Sequence, residues 1–164
     1  MTVPYFCPQD VQFIHKFSGH SITKAVYHNW VNLADSQQDL RFLYALELHF
    51  DDQQEVIISS GEAGEEAHIV FNKLDIEAEK KSIQDKFKGQ LDIQSSEVKA
   101  SELWKQIINR PISKVILDQH NTSGNYFADQ IIFKIDELLV LLKTGADGDG
   151  LEVLEVEMDE EDMQ

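Results

Sequence analysis

Between Arg41 and Phe50 every even position is apolar (Phe42, Tyr44, Leu46, Leu48, Phe50), while the odd positions run Leu43, Ala45, Glu47 and His49. That alternation predicts a strand with one buried and one wetter face. The pattern returns between Phe127 and Asp136. There Phe127, Ile131, Phe133 and Ile135 fall opposite Phe42, Leu46, Leu48 and Phe50, and Asp136 falls opposite Asp51. Asp129 then stands opposite Tyr44, which places a carboxylate on the inward face and makes it the candidate pocket acid. A carboxylate on a buried face must find donors or shift its pKa. The milder reading is a cap on the preceding loop.

Other stretches change period. Residues 1–9 carry Pro4 and Pro8 and predict an extended lead-in. From an Asp10 cap, Val11, Phe13, Ile14 and Phe17 mark one face of a short helix ending near Gly19. Ser21–Trp30 is rich in β-branched and aromatic residues and predicts a strand. Asp51–Gln54 is a hairpin turn into a strand at Glu55–Ser60, and His68–Phe71 is a further short strand. Ile76, Ile83 and Phe87 share one side of an amphipathic surface helix over Asp75–Lys88, stopped by Gly89. Leu91–Ser96 is a connector with at most a brief strand. Ser101 opens a second short helix carrying Leu103, Trp104, Ile107 and Ile108, which Pro111 ends. Strands follow at Ile112–Leu117, Tyr126–Asp136, Leu138–Lys143 and Leu151–Val156, and Glu157–Gln164 is an acidic tail.

Set side by side, the halves match. Phe13, Ile14 and Phe17 meet Leu103, Trp104 and Ile107, and Ile22, Thr23, Lys24 and Val26 meet Ile112, Ser113, Lys114 and Ile116. The offset changes only in loops, where length varies at little cost. Chance similarity of alternating strands competes with this reading, because period-2 patterns resemble one another easily. The expected fold is α+β, with two pseudo-repeats packed as one body. Each repeat is a short helix plus an antiparallel four-stranded meander. The repeats cover residues 1–74 and 100–158, with a bridging helix and connector at 75–99 and an acidic tail at 159–164. Two sheets are expected to meet through their apolar faces about a pseudo-twofold axis.

Composition narrows the partners. Fourteen basic residues stand against 30 acidic ones in 164, a net charge of −16. Nine acids follow Gly145, where no Lys or Arg occurs. Such a surface argues against nucleic acid, whose phosphates need clustered Lys and Arg, and against anionic membranes. It would steer a basic protein inward, although acidity also serves solubility alone. Cys7 is the single cysteine and the N-terminus lacks a signal-like apolar run, so a cytoplasmic location is expected.

Chemistry is thinly signalled. His15, His20, His28, His49, His68 and His120 show no metal-ligand spacing, so no metal is expected. Asp147-Gly-Asp-Gly150 begins like a calcium loop, but Leu151, Glu152 and Met158 occupy the positions that would need ligands or glycine. No nucleophile, phosphate-loop or dinucleotide motif is present, and no cofactor is implied. The expected function is therefore a non-enzymatic acidic binding module, in sharper form an immunity-type inhibitor masking a basic toxin or nuclease. Partner contacts would fall on Glu62, Glu65, Glu66, Asp147 and Asp149, with Tyr27, His28 and Trp30 as an aromatic anchor. Core burial is the competing account of those aromatics. The alternative is a small-ligand or cation site, or an enzyme, using a pocket between the sheets with Asp129 and the acidic loops. A third reading is a module that dimerises through an exposed sheet edge.

Overall fold

The computed structural model describes residues 4–33, 41–61, 68–72, 74–119, 124–145 and 150–157. The chain is mixed α+β, a largely antiparallel curled sheet of nine strands with three helices among the described residues. The acidic segments 62–67 and 146–149 and the tail from 158 lie outside the described residues, as does His120.

Helix α1 (Pro8–His15) begins before the expected Asp10 cap. Cys7 is the extended N-cap and Pro8 occupies the first turn, where its missing N–H is no loss. Asp10 instead sits in the first turn, facing the positive end of the helix dipole. Strand β1 (Ile22–Asn32) pairs antiparallel with β2 (Arg41–Phe50), β2 with β3 (Glu55–Ser60), and β3 with β4 (Ile69–Phe71). Helix α2 (Ile76–Lys86) follows, capped by the Asp75 carboxylate on the Ala78 N–H. The expected connector is a full strand, β5 (Leu91–Glu97), lying on the far edge of β1. Polar residues dominate it because an edge strand with one covered face needs few apolar positions. Helix α3 (Glu102–Ile107) starts at a Ser101 cap. Then β6 (Lys114–Gln119), β7 (Tyr126–Ile135), β8 (Leu138–Thr144) and β9 (Leu151–Val156) pair in succession.

The strands do not separate into two sheets. Beyond the stretch of β2 that β3 covers, β9 takes over the same edge through Leu43–Leu151, which makes one sheet. Across the curl, the N-terminal segment lies along β7, with Phe6 N–H donating to the Tyr126 carbonyl at 2.9 Å and the Ala128 N–H to that of Pro4 at 2.8 Å. The Phe6 ring reaches Phe71 of β4 at 6.1 Å.

The inward residues of both halves form one core. Leu46, Leu48, Phe50, Val56 and Ile58 share it with Ile131, Phe133, Ile135, Val140 and Leu142. Both short helices plug it: Ile14 of α1 and Phe17 just after it, Trp104 and Ile107 from α3. Phe17 stacks on Phe50 at 4.8 Å. Registers recur between the halves. Ala25 faces Leu48 and Tyr27 faces Leu46, while Val115 faces Phe133 and Leu117 faces Ile131.

Tyr44 departs from the simple alternation. The β1–β2 register slips between His28–Ala45 and Asn29–Leu43. The extra residue turns Leu43 into the main core and leaves Tyr44 and Ala45 in a small outer cluster with Ile76 and Ile93, under α2. The β6–β7 register slips likewise, between Leu117–Ile131 and Gln119–Tyr126, and Ala128 enters the core in place of Asp129. A bulge therefore overturns the inward placement of both Tyr44 and Asp129.

Candidate functional site

The strands on either side of two acidic segments, β3 before the first and β9 after the second, share one edge of β2. β3 leaves the edge of β2 at Ser59, opposite Ala45, and β9 joins that edge at Leu151, opposite Leu43. Gly150, next to Leu151, lies against β2, while Gly61 stands two residues beyond the last β2–β3 pair and donates its N–H to the His68 carbonyl. Gly150 is the tighter of the two. A Cβ there would lie 2.3 Å from the Leu43 carbonyl oxygen and 2.6 Å from the Phe42 ring, and its φ of +68° favours glycine. Beside this junction Trp30 stacks on Phe42, with ring centroids 5.0 Å apart and both rings half-buried.

The expected anchor Tyr27–His28–Trp30 is divided by the alternation of β1. Tyr27 points inward and accepts a 2.8 Å hydrogen bond from the Trp104 indole N–H. Burial raises the Tyr27 phenol above its ordinary range, partly offset by that bond. Only Trp30 keeps a half-exposed ring free of this duty. His28 faces outward, yet it is buried, 5% exposed, because β5 and the neighbouring strands surround it.

His28 is the centre of a polar chain crossing three strands. Its Nδ1 lies 2.6 Å from Ser95 Oγ of β5 and its Nε2 lies 3.1 Å from Glu47 Oε1 of β2. The second Glu47 oxygen accepts from His49 Nε2, and His49 Nδ1 lies 3.4 Å from Glu55. A carboxylate only accepts, so the His28 Nε2 carries a proton and donates to Glu47, while the Ser95 hydroxyl bonds the other ring nitrogen. Burial opposes the charge on Glu47. The hydrogen bonds from His49 and His28, with their charges, outweigh it and hold the carboxyl below its ordinary range. The order hydroxyl–imidazole–carboxylate is that of an activated nucleophile. Here, however, it lies on the opposite face of the sheet from the interior and staples β5, β1 and β2 together. Sequence alternation put Glu47 and His49 on one wet face but carried no signal that His28 and Ser95 lay across from them.

The interior has little room. The cavity within the core is about 10 Å³, roughly one water, and is lined by apolar side chains including Ile22, Leu46, Trp104, Phe133 and Leu142. Asp129 does not line it. Its carboxyl keeps company with Asp118 and Lys143 on the outer face, and Oδ1 is buried without a hydrogen-bond partner. Partial burial chiefly, then the Asp118 charge, raises its pKa against its backbone hydrogen bond and Lys143.

His20, Asp51 and Asp52 bring three donor atoms together on the surface. His20 Nδ1 lies 2.9 Å from Asp51 Oδ1. His20 is half-exposed and both aspartates are exposed, and His20 and Asp51 are joined by a hydrogen bond. Beside the β7–β8 hairpin, Arg110 faces Asp136 at 3.5 Å. No helix among the described residues is long and apolar enough to cross a membrane. No protein-family model, curated protein or solved structure matches the chain.

Proposed function

We propose that the protein is a non-enzymatic acidic module that binds a basic protein, in the manner of an immunity-type inhibitor covering a cationic toxin or nuclease. One observation carries the reading. The strands flanking the two acidic segments share one edge of β2 at residues 43–45, beside the half-exposed Trp30–Phe42 pair. A half-exposed aromatic pair on a strongly acidic chain suits a basic protein partner, with charge setting encounter rate and the rings setting residence time. The nearly filled interior favours a surface over a pocket.

The proposal includes a duplicated unit, helix plus four strands, at 1–74 and 100–158. Matching contacts support it. Thr23 Oγ1 donates to the His49 carbonyl as Ser113 Oγ donates to that of Lys134. The Gly19 N–H donates to the Ile112 carbonyl as the Asn109 N–H donates to that of Ile22, a reciprocal pair of the kind a twofold axis produces.

The test uses a small cationic nuclease of pI above about 9 and stopped-flow association at rising salt. The on-rate should fall at least tenfold from low to high ionic strength. Replacing Glu62, Glu65, Glu66, Asp147 and Asp149 by their amides should reproduce most of that fall at low salt. A salt-insensitive rate, unchanged in the amide variant, would remove the proposal.

A further inference from the structure

The two halves differ in what lies along their first strands. The far edge of β1 is occupied by β5, and the Ala25 carbonyl there accepts the Val98 N–H at 2.9 Å. Val115 of β6 occupies the same register position as Ala25, facing Phe133 as Ala25 faces Leu48. Among the described residues β6 pairs with β7 only and stands at the end of the sheet order. Its outer edge is a row of backbone donors and acceptors with the geometry that β5 satisfies on β1.

We infer that this edge pairs with the β6 edge of a second copy of the chain, antiparallel and centred on Ile116. The warrant is self-complementarity, which a twofold interface demands. In Lys114-Val-Ile-Leu-Asp118 that register sets Lys114 against Asp118 of the second copy, Val115 against Leu117, and Ile116 against itself. The faces agree as well. Val115 and Leu117 belong to the main core, so Lys114, Ile116 and Asp118 share the outer face and meet their own kind across the axis.

Backbone parity agrees. The tight hairpin closing at Ile135–Leu138 turns alternate groups of β7 toward β8, leaving those of Ile132 and Lys134 for Ile116 and Lys114. Val115 and Leu117 therefore present their N–H and C=O to the open edge and exchange hydrogen bonds across the interface. Ile116 meets itself at a non-hydrogen-bonded position, where side chains approach most closely. The β5 edge has no such symmetry: centred on Gln94 it would set Leu91 against Glu97 and Asp92 against Ser96.

Sedimentation velocity from about 10 μM to about 1 mM reads the result, since so short an interface makes a weak dimer. Wild type should pass from monomer to dimer across that range. Lys114→Asp or Asp118→Lys alone sets like charges opposite at two symmetric places and should weaken the dimer at least about fivefold. An unchanged urea-unfolding midpoint of the single variants separates loss of the dimer from loss of the fold. Combining the two reversals restores opposite charges and should recover the wild-type dimer. In a Cys7→Ser background, Ile116→Cys should cross-link to a disulfide dimer, because the facing Cα atoms would lie about 4.5 Å apart. A monomer at every concentration overturns the inference. So does a double reversal no better than the single ones, or a dimer that Ile116→Cys does not cross-link.

Discussion

The walls formed by β1–β3 and by β6–β8 carry matching residues inward and unlike ones outward. On the first wall the outer positions hold His28, Glu47 and His49, with Ser95 of β5 bonded to His28, and α2 packs Ile76 against Ala45 and Ile93 on the same face. On the second, the outward positions include Asp118, Ile132 and Lys134, of which Ile132 is buried, and no further strand pairs with the β6 edge among the described residues. The inward set is fixed by one shared core, in which each half buries the other's apolar face, so both halves must keep it. The outward set answers only to its local cover and is free to diverge. Structure common to the halves should therefore be costly to alter, and features belonging to one half cheaper.

The largest effects should come from the helix plugs. Phe17 is 1% exposed and stacks on Phe50, and Ile107, the last residue of α3, is also 1% exposed. Phe17→Ala should cost about 3–5 kcal/mol and Ile107→Ala about 2–5 kcal/mol by urea unfolding. A cost under about 1 kcal/mol at either site would mean that the helix is an appendage to its half.

Next come the glycines flanking the acidic segments. Gly150→Ala drives a Cβ into backbone at 2.3 Å from a positive φ, and should cost about 2–4 kcal/mol. A Cβ at Gly61 meets only the His68 ring, 2.6 Å away, which can swing aside. Gly61→Ala should cost about 1 kcal/mol or less. Equal costs would show that the β2–β9 junction is not the more constrained of the two.

Much of the fold was legible because alternation survives wherever one face is buried. Most of the inward sets of β2 and β7, the helix starts at Asp75 and Ser101, and Ile76 and Ile83 on the covered side of α2 follow from spacing. Phe87, expected on that side, instead lies past the end of α2 and is exposed. Two kinds of feature were not legible. The bulges that turn Tyr44 and Asp129 outward keep local alternation intact on either side, so only the partner's register exposes them. β5 escaped because its partner lies some sixty residues back, and Gln94, Ser95 and Ser96 carry no apolar signal. The partner surface fared similarly. Acidity was plain in the composition, whereas the meeting of its flanking strands on β2 depends on β3 and β9 sharing an edge.

The smallest effects separate the two outer faces by the sign of their pH dependence. Glu47 has a folded pKa below its ordinary 4.5, so its charge stabilises the fold at neutral pH. That contribution is present above the unfolded pKa and is lost as pH falls through the folded one. Glu47→Gln should cost about 1–2 kcal/mol near neutrality, with the gap to wild type closing below about pH 4.5. Asp129 has a folded pKa above its ordinary 3.8, so its charged form opposes folding. Protonation relieves that as pH falls through the raised folded pKa toward the unfolded value. Asp129→Asn should therefore stabilise slightly at neutral pH, by roughly 0.5 kcal/mol or less once solvent screening is allowed for. Its advantage should vanish in acid. Unfolding midpoints of the two variants and wild type from about pH 3 to about pH 8 read both slopes. Shifts of the same sign would mean that the two outer faces treat a carboxylate alike, and that β5 and the histidines of the first wall contribute nothing specific to Glu47.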